Sequence, residues 1–154
     1  MNTAPHISPS SFYSQTILLV SDSGVVAQAM EQFVFSGLQL RVAARLHTFD
    51  NLGDAVRRFI PDVAIAYFNA LDAERIRQIR HIALAAPQVS ILVIAPTTAA
   101  SLIQEVFSAG ARGYLLDMPS REELISTLDR MRWGQGTVLD ERLRGQEVLI
   151  KARL

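Results

Sequence analysis

Five short apolar runs, each followed by residues at helical spacing, constrain this chain more than any other feature of its sequence. TILLVS (residues 16–21) is uncharged and mostly β-branched or aliphatic, and it reads as a buried strand. Ser23 and Gly24 then open a helix with Val26, Met30, Phe33 and Val34 on one face, which Gly37 stops. LQLRVAARL (38–46) alternates as a second strand, and His47, Thr48, Phe49 and Asp50 make a turn. Leu52, Ala55, Val56 and Phe59 mark a second helix that ends at Pro61. A third strand over 63–66 breaks into Tyr67, Phe68 and Asn69. Residues 72–85 form a helix with Ile76, Ile79, Ile82 and Ala83 inward and Arg75, Arg77 and Arg80 outward as a solvated face, ended by Pro87. SILVIA (90–95) is the fourth strand, 98–109 a helix closed by Gly110, and GYLL (113–116) the fifth strand. Ser120 and Glu123 form a capping box for a helix running to about Trp133, with Leu124, Leu128 and Met131 inward.

Continuous apolar strands alternating with amphipathic helices predict a parallel sheet covered on both faces. Right-handed crossovers make it a doubly wound α/β fold. The usual five-stranded solution has the flavodoxin-like order 2-1-3-4-5, with its pocket at the carboxyl ends of strands one and three. The residues delivered to that edge are Ser21, Asp22 and Ser23, then Tyr67, Phe68 and Asn69, then Ala95 to Thr98 and Asp117 to Pro119.

The chain's 154 residues suffice for one domain with a sizeable core. A formal net charge of +0 gives no electrostatic case for nucleic acid or an acidic membrane surface. No apolar run approaches the roughly 18 residues of a membrane helix. Residues 1–15 are polar and turn-rich, unlike a signal peptide, and read as a flexible lead-in to a domain over 16–136. The absence of cysteine excludes disulfides and thiolate metal sites and fits a cytoplasmic protein. Of the 15 basic residues 14 are Arg; the single Lys is Lys151.

The stretch AGARGYLLDMPSREELISTLDRMRWGQG (109–136), together with the PDVAIA strand and Pro87 at matching spacing, resembles the receiver domain of bacterial response regulators, most closely the NarL/FixJ-type subgroup. The resemblance covers residue 16 to about 143 and implies phosphoryl transfer onto an aspartate. That chemistry takes a carboxylate nucleophile, an acidic pair holding Mg²⁺, and a hydroxyl and a Lys that bind the phosphoryl oxygens. Carried over residue by residue, the nucleophile position holds Tyr67, and the acidic pair becomes Ser21 and Asp22. The hydroxyl position holds Ala95, and the Lys position holds Asp117. Leu71 stands where the family has a Pro. A phenol cannot serve as the phosphoacceptor, and Asp117 puts negative charge where positive charge is required. The resemblance therefore implies a degenerate pseudo-receiver, with no cofactor, no metal and no catalytic residue. Tyr114 matches the family's switch aromatic. Its structural reading is a tyrosine on an edge strand, packed against the neighbouring helix. Asp22 and Asp117 read as solvated loop carboxylates, one of them within reach of the Tyr67 hydroxyl.

Other chemistries find less support. SDSG (21–24) lacks the G-x-S-x-G elbow, no His stands in a suitable place, and there is neither G-x-G-x-x-G nor a P-loop. Trp133 is expected to cover the end of the last helix. Residues 137–154 read as an amphipathic helical tail or linker. In the resembled subgroup this stretch leads to a helix-turn-helix domain, so any contact with DNA is expected through a domain that these residues do not form. The chain is expected to signal through a protein partner or a homodimer, away from membranes, as the regulatory domain of a transcriptional regulator. The alternatives are a small-molecule sensor with a pocket near Tyr67, Phe68 and Asp22, or a receiver with residual phosphorylation.

Overall fold

The computed structural model describes residues 15–35, 40–48, 50, 52–134 and 136–146; the lead-in up to Ser14, the stop at Gly37, Phe49 of the turn and the end of the tail lie outside these. Strands β1 (Gln15–Ser21), β2 (Leu40–Leu46), β3 (Val63–Tyr67), β4 (Ser90–Ala95) and β5 (Gly113–Leu116) alternate with helices α1 (Gly24–Ala29), α2 (Leu52–Phe59), α3 (Ala73–Ala85), α4 (Ala100–Ser108) and α5 (Arg121–Arg132). Every pairing is parallel, and the order β2-β1-β3-β4-β5 is the expected one.

A sixth strand, β6 (Val138–Leu139), pairs in parallel with the outer side of β5. A 3₁₀ turn over Glu141–Gln146 follows it. The helical tail expected from Thr137 is therefore replaced, as far as Gln146, by a strand and a short turn. The cause is tertiary: Val138 donates to the Arg112 carbonyl at 2.8 Å and Asp140 to the Tyr114 carbonyl at 2.9 Å, which extends the sheet.

Strand alternation divides the core between the two faces. Ile17, Leu19, Ile65, Tyr67, Leu92, Ile94 and Leu115 pack toward α1 and α5. Leu18, Val20, Ala64, Ala66, Val93 and Tyr114 pack toward α2, α3 and α4. β3 is buried along its whole length, as a central parallel strand must be, whereas β2 at the edge is half exposed.

The first helix is shorter than its apolar spacing predicts. It holds α geometry to Ala29 and then widens into π turns over Met30–Phe35; the side chains of Phe33 and Val34 lie outside the described residues. Gly110 closes α4 with φ 120, and a Cβ there would stand 2.5 Å from the Ala83 Cβ of α3, so both conformation and space require glycine. Trp133 does not seal the end of α5 but is 55% exposed, with the Arg132 guanidinium 5.4 Å from its ring centre.

Candidate functional site

Because all strands are parallel, their carboxyl ends share one edge, and every βα loop opens there. The register sets Ser21, Tyr67 and Ile94 side by side, with Ala95 beside Leu116 on the next strand. Tyr67 is the last residue of β3, not the first of a loop, so strand alternation decides where its ring goes. The ring lies on the α1/α5 face, 3% exposed, among Leu19, Ile65 and Leu115. Its hydroxyl emerges at the edge and donates to Asp117 Oδ2 at 2.6 Å. Burial first, then the hydrogen bond and charge of Asp117 and the charge of Asp22, push the phenol well above its ordinary range and keep it a neutral donor.

Asp117 follows β5 directly, and its backbone N–H donates to the Ala95 carbonyl at 3.1 Å. Its second carboxylate oxygen, Oδ1, is buried with no hydrogen-bond partner among the described residues. Ala95 thus contributes a backbone acceptor and no side-chain chemistry. Ser21 is buried and turned to its own loop: its Oγ donates to the Ser23 carbonyl at 3.0 Å and accepts from the Ser23 N–H at 3.1 Å. That turn presents Ser23 as the cap of α1, accepting from Val26 N–H.

Asp22 is not a free loop carboxylate. Arg75 reaches it with Nη2 3.3 Å from Oδ2. The row of arginines on α3 is therefore not uniform: Arg77 pairs with Glu74 on its own helix, but Arg75 turns over the sheet edge. Arg75 stands in the first turn of α3, three residues past the capping side chain of Asp72. First-turn residues in a doubly wound fold rim the carboxyl edge, and that position was the signal to use. The cleft thus combines two carboxylates, one guanidinium and a neutral phenol, a net charge of −1.

Tyr114 departs from its expected place. β6 covers its strand, so it is not at an edge, and it is fully buried on the α2–α4 face. Its hydroxyl donates to the Thr97 carbonyl at 2.7 Å and to the Ala95 carbonyl at 3.3 Å. Burial, then the nearby Asp140 charge, raise this phenol as well. Phe68 is also fully buried on that face, so Tyr67 and Phe68 do not line a common pocket.

Among the described residues no group of His, Cys, Asp and Glu could hold a metal ion, and no helix is long and apolar enough to cross a membrane.

No family model matches this sequence, and no curated protein sequence matches it. Solved structures do. The isolated receiver domain of RcsB from Salmonella enterica serovar Typhimurium, determined with the phosphomimetic BeF3-, superimposes with a TM-score of 0.71 at 14% identity, over 87% of this chain and 99% of that one. A LuxR-family two-component response regulator from Aurantimonas sp. SI85-9A1 gives 0.77 at 18% identity, over 91% and 99%. An RcsB–DNA complex gives 0.74 at 16%, over 92% of this chain but 71% of that one. The chain has the fold of a response-regulator receiver domain, and its carboxyl edge carries two contacting pairs, Tyr67 with Asp117 and Asp22 with Arg75.

Proposed function

We propose that this chain is a pseudo-receiver: a signalling domain that works by protein contact, not catalysis, and whose cleft takes no phosphoryl group. The observation that carries this reading is the 2.6 Å hydrogen bond from Tyr67 to Asp117. The phenol occupies the position from which a nucleophile would act, and it is held as a neutral donor. Arg75 meets the one remaining acidic residue of the family's pair, Asp22. The net negative charge opposes approach of a phosphoryl anion, and the guanidinium of Arg75 is engaged by Asp22.

The role that fits is regulation of an attached or associated output, as in the regulators it resembles in fold. One neighbour is described as two RcsB dimers bound to two parallel DNAs. By analogy this chain dimerises or binds a protein partner in the cytoplasm, and meets DNA only through a domain outside residues 16–136. The surface from α4 through α5 and the C-terminal segment are the faces for such contact; Ile125 and Trp133 expose apolar surface on α5.

The test is incubation with a small phosphodonor and Mg²⁺, read by intact mass. The unmodified mass is expected, and a phosphate adduct overturns the proposal. Light scattering across micromolar concentrations tests association, where a strict monomer removes the homodimer and leaves the partner.

A further inference from the structure

The segment after β6 is fastened to β5 at one residue from the cleft. Asp140 is 3% exposed, and its carboxylate is held by backbone donors: Oδ2 accepts from Leu116 N–H at 2.8 Å, and Oδ1 accepts from Arg142 N–H at 2.8 Å.

 The Arg142 guanidinium closes on both oxygens, Nε to Oδ1 at 3.1 Å and Nη2 to Oδ2 at 2.8 Å. The same Nη2 donates to the Leu116 carbonyl at 3.2 Å and lies 3.2 Å from Glu123 Oε2, the residue that completes the α5 capping box. Leu143, one residue on, is buried in the same core cluster as Tyr114. Burial works against the Asp140 charge, yet the Arg142 side chain and the N–H groups of Leu116 and Arg142 hold its carboxyl below the ordinary range.

β5 is tied on its other side to the cleft. Asp117, the next residue after Leu116, receives the Tyr67 hydroxyl and donates its N–H to Ala95. Tyr114, two residues before Leu116, bonds the loop after β4 through its hydroxyl. Three tethers therefore meet within residues 114–117, on β5 and the residue that follows it. Beside the clamp lies a cavity of about 220 Å³ between α5 and β6, lined by Glu122, Glu123, Ser126, Leu139 and Asp140.

We propose that Val138–Gln146 is a latch that reads the state of the cleft through β5. Its parts are the Leu143 peg, the Asp140–Arg142 clamp on Leu116, and the shared strand that leads into Asp117. A partner that separates Tyr67 from Asp117 loosens the clamp, and release of the clamp loosens the cleft, because coupling between two sites is reciprocal. The latch stands on its own contacts and does not depend on whether the cleft takes phosphate.

Amide hydrogen exchange followed by NMR on the whole chain tests it from both ends. In Arg142→Ala, a change at a half-exposed side chain, the amides of Val138, Asp140 and Leu143 are expected to exchange about tenfold faster, the scale of one lost charge-assisted hydrogen bond. The Asp117 amide should speed up with them, while that of Ile79 in α3 stays put. In Tyr67→Phe, which keeps the ring, the amides of Asp140 and Leu143 should accelerate together with that of Asp117. Loosening of 138–143 with Asp117 unchanged in the first variant overturns the latch. So does an unchanged Asp140 and Leu143 in the second, or an equal rise at Ile79 in both.

Discussion

Removing one oxygen from Tyr67 tests the reading of the cleft most directly. Tyr67→Phe leaves the ring among Leu19, Ile65 and Leu115 and deletes only the donor to Asp117. A hydrogen bond to a charged group contributes about 1.5–3 kcal/mol. Two features set the value within that range. Asp117 Oδ1 already lacks a partner among the described residues, so losing the donor to Oδ2 strips the carboxylate side chain of its observed hydrogen bond. Asp117 is only partly buried, however, so water recovers some of the loss. The expected cost is about 2 kcal/mol, or roughly 4–8 °C in melting temperature for a domain of this size. Urea unfolding of the wild type, Tyr67→Phe, Asp117→Asn and the double variant forms a cycle. The double variant should be less destabilised than the sum of the singles by about 1 kcal/mol or more, as for groups in direct contact. A Tyr67→Phe protein within about 0.5 kcal/mol of wild type, or an additive cycle, refutes the claim that this pair holds the cleft together.

Three further outcomes follow from other parts of the molecule. Gly110→Ala should cost about 3 kcal/mol by chemical denaturation, since it places a Cβ against Ala83 and forces a side chain into a backbone region kept for glycine; a loss under about 1 kcal/mol contradicts that packing. Ile60→Gly should raise stability by about 1 kcal/mol, because Ile60 sits at φ 45 with its side chain 74% exposed and gives up strain but little burial; a lower melting temperature contradicts it. Both buried phenols titrate above their unfolded value, so the stability that they contribute is complete below about pH 10 and is lost as pH rises beyond it. Absorbance titration should show Tyr67 and Tyr114 ionising together with loss of the far-ultraviolet circular dichroism; ionisation of both near pH 10 with the fold intact contradicts their burial.

The strands that are covered on both faces were legible because burial leaves a continuous apolar run, as in VAIA and SILVIA, although Tyr67 extends the first of these by one residue. The capping box of α5 was legible because its two bonds are local to Ser120 and Glu123. β6 was not, because two residues carry no period of their own and Val138 and Leu139 become a strand only where β5 offers its outer edge. The same omission misplaced Tyr114: without β6 its strand looks like an edge. Arg75 was misread for a different reason. A row of arginines on one helix looks uniform in sequence, yet only the one in the first turn reaches the sheet edge and Asp22.

At the cleft the polar groups answer one another. Tyr67 brings a donor to the edge, and Asp117 brings the acceptor that the donor needs. Asp22 meets the guanidinium of Arg75 from α3. A site that had merely eroded would leave buried polar groups without partners, each at a cost of about 1–3 kcal/mol. Here only Asp117 Oδ1 is left so among the cleft groups described, and the remaining contacts join β1, β3, α3 and β5 across the edge. These contacts therefore act as a set that stabilises one arrangement of the loops, which is what the proposed reading of the chain as a domain acting through its surface requires.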